Sequence, residues 1–287
     1  MFVGGKYVEG FTPGKPDYGF TLEAMLQRLG GGMASARQSA AIKATMLDNA
    51  NMGTAQNKHG YLFDSAGAIK IGAAGKYLFA ASVFKAGNLQ NRSGILALAK
   101  TSIDADGSLR GSDGNAFDYA WLTLGLASNG EQQSACRAST ALAKLTRADG
   151  GWGFDTTDAT TESQTDSTGI ALQALGATFG SCSKAQEATK YSATKAAVRY
   201  LNRTQVDSNH WNAWGDFDTN GTAYAAMGLR AVRQPIAAIS AWLATKIAPD
   251  GGIQSAWSNG AGDTYATAQS YVALRGLSYL NLAGLNH

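Results

Sequence analysis

The sequence predicts an all-α protein, an α/α toroid of six helix pairs in one domain over residues 1–287. Three observations predict it. Four segments share one pattern of offsets, each joins the end of one helix to a second, very apolar helix, and two earlier segments fit the second half of the unit more loosely. With the average spacing of about 48 residues, six helix pairs can close into a ring, which removes the exposed ends of an open solenoid.

Along the chain, the stretches PDYGFTLEAMLQRLGGG and IKIGAAGKYLFAASVFKAG supply the first two inner helices, and ARQSAAIKATMLDNA reads as an outer one. The clear repeats follow: Leu98, Ala99, Ile103, Gly107, Leu109; then Ala141, Leu142, Thr146, Gly150, Trp152; then Tyr200, Leu201, Gln205, Asn209, Trp211; then Trp242, Leu243, Ile247, Gly251, Ile253. In each, residues four apart share a helix face, and the Gly or Asn that follows suits a left-handed turn. AQEATKYSATKAAVRYLN is a further outer helix. The inner helices FDYAWLTLGL, TDSTGIALQAL, TNGTAYAAMGL and TYATAQSYVALRGL are apolar nearly all round, as buried helices are. Asp118, Asp166, Asn220 and Asp263 stand at their starts, where a short acceptor can cap free N–H groups.

Composition agrees with a large core. Of the 287 residues 45% are hydrophobic and only 16% charged, and the formal net charge of +3 is spread without a basic run, so no phosphate-tracking stripe for nucleic acid is expected. The longest apolar windows fall far short of the roughly 20 residues of a bilayer span. Cys136 and Cys182 are the only cysteines, a number that permits one disulfide without requiring it.

The aromatic-Leu-x3-Gln-x3-Gly-x-Trp spacing, matched best by Tyr200, Leu201, Gln205 and Trp211, resembles the QW repeat of squalene and terpene cyclases and of protein prenyltransferase β subunits. The likeness covers about residues 90 to 280 clearly, with Asn209 in place of Gly and with Ile103, Thr146 or Ile247 in place of Gln. It implies a toroid with a central cavity. More narrowly, PDYGFTLEAML, TDSTGIALQAL and NGTAYAAMGLRA resemble secreted or wall-attached actinobacterial repeat proteins of undefined activity. That resemblance implies an extracellular or cell-wall location with a leader removed, a wall or surface partner, and a Cys136–Cys182 disulfide.

The enzyme classes of the resemblance can be tested on residues. A prenyltransferase zinc needs an Asp-Gly-Cys turn and a His, but the turns read Asp106-Gly107-Ser108, Asp149-Gly150-Gly151 and Asp250-Gly251-Gly252, and Ala266 stands where the His would be. His59, His210 and His287 pair with no Cys at ligand spacing, so no metal and no cofactor is expected. No Gly-x-Ser-x-Gly elbow or P-loop is present. The stretch GFDTTDATTESQTD, with Asp155, Asp158, Glu162 and Asp166, fits neither a diphosphate-magnesium nor an EF-hand spacing and reads as a polar turn.

A class II terpene cyclase is a nearer match. Such enzymes protonate an alkene with the middle Asp of an Asp-x-Asp-Asp motif, held protonated by burial and surrounded by aromatic faces that stabilise the carbocation. DFDTNGTA supplies Asp216 and Asp218 beside Trp211, Trp214 and Phe217, with Asp218 as the acid; Thr219 replaces the final Asp. The plain alternative is a solvated turn with Asn220 as a cap. Trp152, Trp211, Trp214, Trp257, Tyr265 and Phe217 are the candidate ligand-binding residues, with stapling of neighbouring helix ends as the alternative role of the turn aromatics. Cobalamin carriers use a similar ring, a precedent by fold analogy for binding. The expectation is therefore a non-catalytic ring that binds an apolar or isoprenoid-like molecule or mediates surface contact, with a class II cyclase as the rival.

Overall fold

The structure is a computed structural model that describes residues 2–3, 7–9, 15–33, 36–85, 89–110, 114–156, 158 and 160–285. His287 lies outside the described residues. Thirteen α-helices are present among the described residues: α1 (Tyr18–Gly30), α2 (Ala36–Leu47), α3 (Asn49–Met52), α4 (Ile71–Val83), α5 (Leu89–Thr101), α6 (Ala116–Ala127), α7 (Gln132–Lys144), α8 (Thr165–Gly176), α9 (Lys184–Thr204), α10 (Thr219–Ala231), α11 (Ala237–Ala244), α12 (Thr264–Leu274) and α13 (Tyr279–Ala283).

Contacts between helices define the ring. Helix α1 packs on α4, α4 on α6, α6 on α8, α8 on α10, α10 on α12, and α12 returns to α1. These are the expected inner helices. Outside them, α5 packs on α4, α7 on α6 and α8, α9 on α7 and α8, and α11 on α10 and α12. The architecture is an all-α toroid. Among the described residues, sheet is confined to two small antiparallel pairs, Phe2–Val3 with Tyr7–Val8 and Asn212–Ala213 with Asp216–Phe217.

Two inner pairs approach with backbone almost touching. A Cβ on Gly125 would stand 2.5 Å from the Gly75 carbonyl oxygen, and one on Gly169 would stand 2.2 Å from that of Tyr224. Only glycine admits such an approach.

The turns carry the repeat in atomic form. Trp152 is fully buried, its ring N–H donating to the Leu142 carbonyl at 2.8 Å and its backbone N–H to Thr168 Oγ1 at 3.0 Å. Trp211 repeats both bonds, to Leu201 at 3.1 Å and to Thr222 at 3.0 Å. The backbone N–H of Ile253 donates to Thr267 at 2.8 Å and that of Val8 to Thr21 at 2.9 Å. Each acceptor is the fourth residue of its inner helix, so in these four units one hydroxyl locks the turn to the helix that follows.

Several local expectations are corrected. Gly107 and Gly150 take positive φ, 94° and 99°, but Asn209 does not; Asp207 and Ser208 carry the left-handed turn there, at 47° and 57°. Asp263 caps α12 through the Ala266 N–H, but α6 is capped by Asn115 and α10 by Asp218. Asp118 and Asp166 lie inside their first turns, where a carboxylate favours the helix dipole. Asn220 is also inside its helix and donates to Gln269 on α12.

A Cys136–Cys182 disulfide joins α7 to the segment between α8 and α9. No described helix is long and apolar enough to cross a membrane.

Candidate functional site

The sixth residues of the inner helices are Glu23, Lys76, Trp121, Ile170, Tyr224 and Gln269. Most of them point into the ring, because they meet across it. Lys76 Nζ donates to Glu23 Oε2 at 3.0 Å and lies 4.9 Å from the Trp121 ring centre. Tyr224, on a helix that does not neighbour α1 in the ring, donates its hydroxyl to Glu23 Oε1. Phe117 meets the Tyr224 ring edge-on at 5.5 Å.

The short helix α13 closes one end of this interior. It touches α1, α4, α8 and α10, and the buried Tyr279 side chain reaches between them. The Tyr279 ring packs on Trp121 at 5.2 Å and on Phe79 at 5.9 Å. Its hydroxyl accepts from Gln27 Nε2 at 2.9 Å and lies 3.3 Å from Glu23 Oε1, and its backbone N–H donates to Gln173 Oε1 at 3.0 Å. Burial beside the Glu23 carboxylate pushes the Tyr279 phenol well above its usual range. Glu23, with its side chain 3% exposed, thus has one ammonium and two phenols around it, the arrangement a buried carboxylate requires. Tyr279, Trp121 and Phe79 fill the end of the ring interior beneath α13, and its acid is already engaged.

At the opposite end, the starts of the inner helices form the mouth. Burial raises the pKa values of both Asp166 and Asp218, and the charge of Asp218 adds to the rise at Asp166. Asp218 Oδ1 accepts the Gly221 N–H of its own helix at 2.9 Å. Asp216 is exposed and bonds the Phe217 N–H.

The aromatic residues named from the sequence are dispersed around this mouth. Trp152 and Trp211 are locked into the turns, with no open face. Trp214 is 90% exposed at the tip of the second hairpin, at φ 51° beside Gly215 at 87°, and Trp257 is 69% exposed. Phe217 lies edge-on to Trp242 at 5.9 Å, with Lys246 Nζ 3.8 Å from its centre, and Tyr265 packs on Phe20 at 4.3 Å. Of the aromatic residues named beside Asp218, Trp211 turns into the repeat and Trp214 faces solvent.

A large cavity does exist, but at the plugged end. A pocket of about 1080 Å³ opens between α9, the C-terminal ends of α8 and α10, and α13. Phe179, Val198, Val232, Leu280 and Leu285 give it an apolar wall. No residue named from the sequence lines it. Four of the twenty-four Lys and Arg residues line it, a clustering from two separate segments that linear sequence does not display. Among the described residues, no group of three or more His, Cys, Asp or Glu is placed to hold a metal.

No family model and no curated protein matches the chain by sequence. Solved structures match by shape. An ent-copalyl diphosphate synthase from Streptomyces platensis superposes over 93% of this chain and 50% of its own, at TM-score 0.57 and 16% identity. Haptocorrin in complex with Cbi superposes over 91% of this chain and 62% of its own, at TM-score 0.54 and 12% identity. At these identities the likeness is one of fold, the α/α toroid, and the chain spans only half to three-fifths of those proteins.

Proposed function

We propose that this toroid is a non-catalytic, extracellular binding protein whose ligand carries an apolar body, and that the ligand sits in the pocket beside α13 rather than in the ring. The observation that carries this reading is the contrast between the two spaces. The end of the interior closed by α13 is occupied by Tyr279, Trp121 and Phe79 and by a fully engaged Glu23, whereas the pocket offers about 1080 Å³ against an apolar wall, just above the usual upper bound of small-molecule sites, about 1,000 Å³. The toroid solved with Cbi supports a binding role on this fold by analogy alone. The disulfide supports an oxidising compartment, where such bonds persist.

One observation favours the rival cyclase reading: Asp218 holds its proton more tightly than an ordinary carboxyl because it is buried. Mass spectrometry of organic extracts separates the two. After incubation with squalene, farnesyl diphosphate and geranylgeranyl diphosphate, the binding reading expects no cyclised product, and expects an apolar compound retained by the wild type and lost from Val198→Asp/Leu280→Asp, which places two charges on the apolar wall of the pocket. A cyclic product that disappears in Asp218→Asn would overturn it.

A further inference from the structure

Lys195 and Arg199 on α9 face the same pocket as Arg230 and Arg233 at the end of α10, and no carboxylate lines it. Among the described residues none of the four forms an ion pair; Lys195 Nζ lies over the Tyr191 ring at 5.6 Å. Their four positive charges exceed the net +3 of the entire chain. All four are solvent-exposed, so water and salt screen their mutual repulsion, but with no carboxylate in the lining they raise the local potential in favour of an anion. The Thr194 hydroxyl, in the same lining, is buried without a hydrogen-bond partner among the described residues. An unsatisfied buried hydroxyl is itself unfavourable and can bond to an oxygen of a ligand.

We propose that the pocket takes a single-tailed amphiphilic anion, an alkyl or isoprenyl phosphate or carboxylate. Its tail lies on Val198, Val232, Leu280 and Leu285, and its head is held by Arg199, Arg230 and Arg233. Guanidinium groups suit this task because they meet phosphate or carboxylate oxygens in pairs. The assignment rests on the pocket being the binding site, and it adds the charge of the ligand. Because α13 walls the pocket with Leu280 and fills the ring with Tyr279, the bound tail would also hold the plug in place.

Isothermal calorimetry with the full chain tests this, using dodecyl phosphate below its micellar concentration, dodecanol and inorganic phosphate. Dodecyl phosphate is expected to bind at least about tenfold more tightly than dodecanol, a difference that weakens with salt and vanishes in Arg230→Gln/Arg233→Gln. Lys58→Gln/Lys144→Gln, which removes two exposed charges elsewhere, is expected to bind as the wild type. Equal binding of alcohol and phosphate, unchanged in the arginine variant, would overturn the anionic assignment and leave the apolar site standing. Inorganic phosphate binding as tightly as dodecyl phosphate would overturn the amphiphile. Binding of none of the three would overturn both the assignment and the site. Circular dichroism melting establishes that each variant is folded.

Discussion

Gln27 Nε2 donates to the Tyr279 hydroxyl at 2.9 Å, joining the first inner helix to the last described helix across 252 residues. Gln27 Oε1 meanwhile accepts the Val272 backbone N–H at 2.7 Å, so one side chain ties α1, α12 and α13 together where the ring closes. Tyr279→Phe leaves the Gln27 amide short of a buried partner and should cost about 1–3 kcal/mol. Tyr279→Ala also removes the ring that fills the interior and should cost about 3–5 kcal/mol. Urea unfolding of both variants separates the two contributions: a Tyr279→Phe protein as stable as wild type would mean that the hydroxyl contributes nothing, and equal losses in the two variants would mean that the ring contributes nothing.

Gly169→Ala should destabilise, although alanine is the better helix former by about 1 kcal/mol. Its Cβ would stand 2.2 Å from the Tyr224 carbonyl, and backbone cannot yield as a side chain can. A net loss of about 1–3 kcal/mol is expected in thermal or denaturant melts. A stabilised variant would show that α8 and α10 are less closely packed.

The disulfide should be complete in protein isolated without reductant, so intact mass should not change on alkylation unless reductant is added first. Its Cys182 sulfur lies 3.1 Å from the buried Lys190 Nζ, which also donates to the Thr178 carbonyl at 2.9 Å. Replacing both cysteines by serine should cost about 4 kcal/mol on the chain-entropy estimate for a loop of 46 residues. Full alkylation of native protein would refute the bond.

Asp166 and Asp218 give a pH dependence of definite sign. Burial raises both carboxyl pKa values in the folded state, so the folded form binds protons more tightly than the unfolded form. Their contribution to stability is present at acid pH and is lost as pH rises from the ordinary Asp pKa through the raised folded values. Asp218→Asn retains a good N-cap and removes its share of this slope. Chemical denaturation at closely spaced pH values should therefore show a shallower loss in the variant over that window, and an identical slope would contradict the assignment.

Much of the fold was legible because the turn chemistry repeats. Gly107, Gly150, Trp152 and Trp211 are similar residues at similar offsets, each placed by contacts within its own unit. Even the third unit, whose Asn209 departs from the pattern, keeps the turn by moving the positive φ to Asp207 and Ser208. The interior was not legible for the opposite reason. Glu23, Lys76, Trp121 and Tyr224 share a helix position but no chemistry, and they meet only when the ring closes across some two hundred residues. A usable signal was present: Glu23 and Lys76 are lone charges within the apolar runs FTLEAML and AAGKYLF, at the sixth residue of each inner helix. The pocket was less accessible still, because α9, α10 and α13 each contribute only part of its wall.

The most direct measurement of where a ligand sits is a methyl-resolved NMR titration with dodecyl phosphate. If the pocket beside α13 is the site, the methyl signals of Val198, Val232 and Leu285 shift together and saturate, while Met227 and Ile170 inside the ring stay in place. Shifts that begin at Ile170 and Met227 and leave Val198 and Val232 unmoved would place the ligand in the ring and contradict the account.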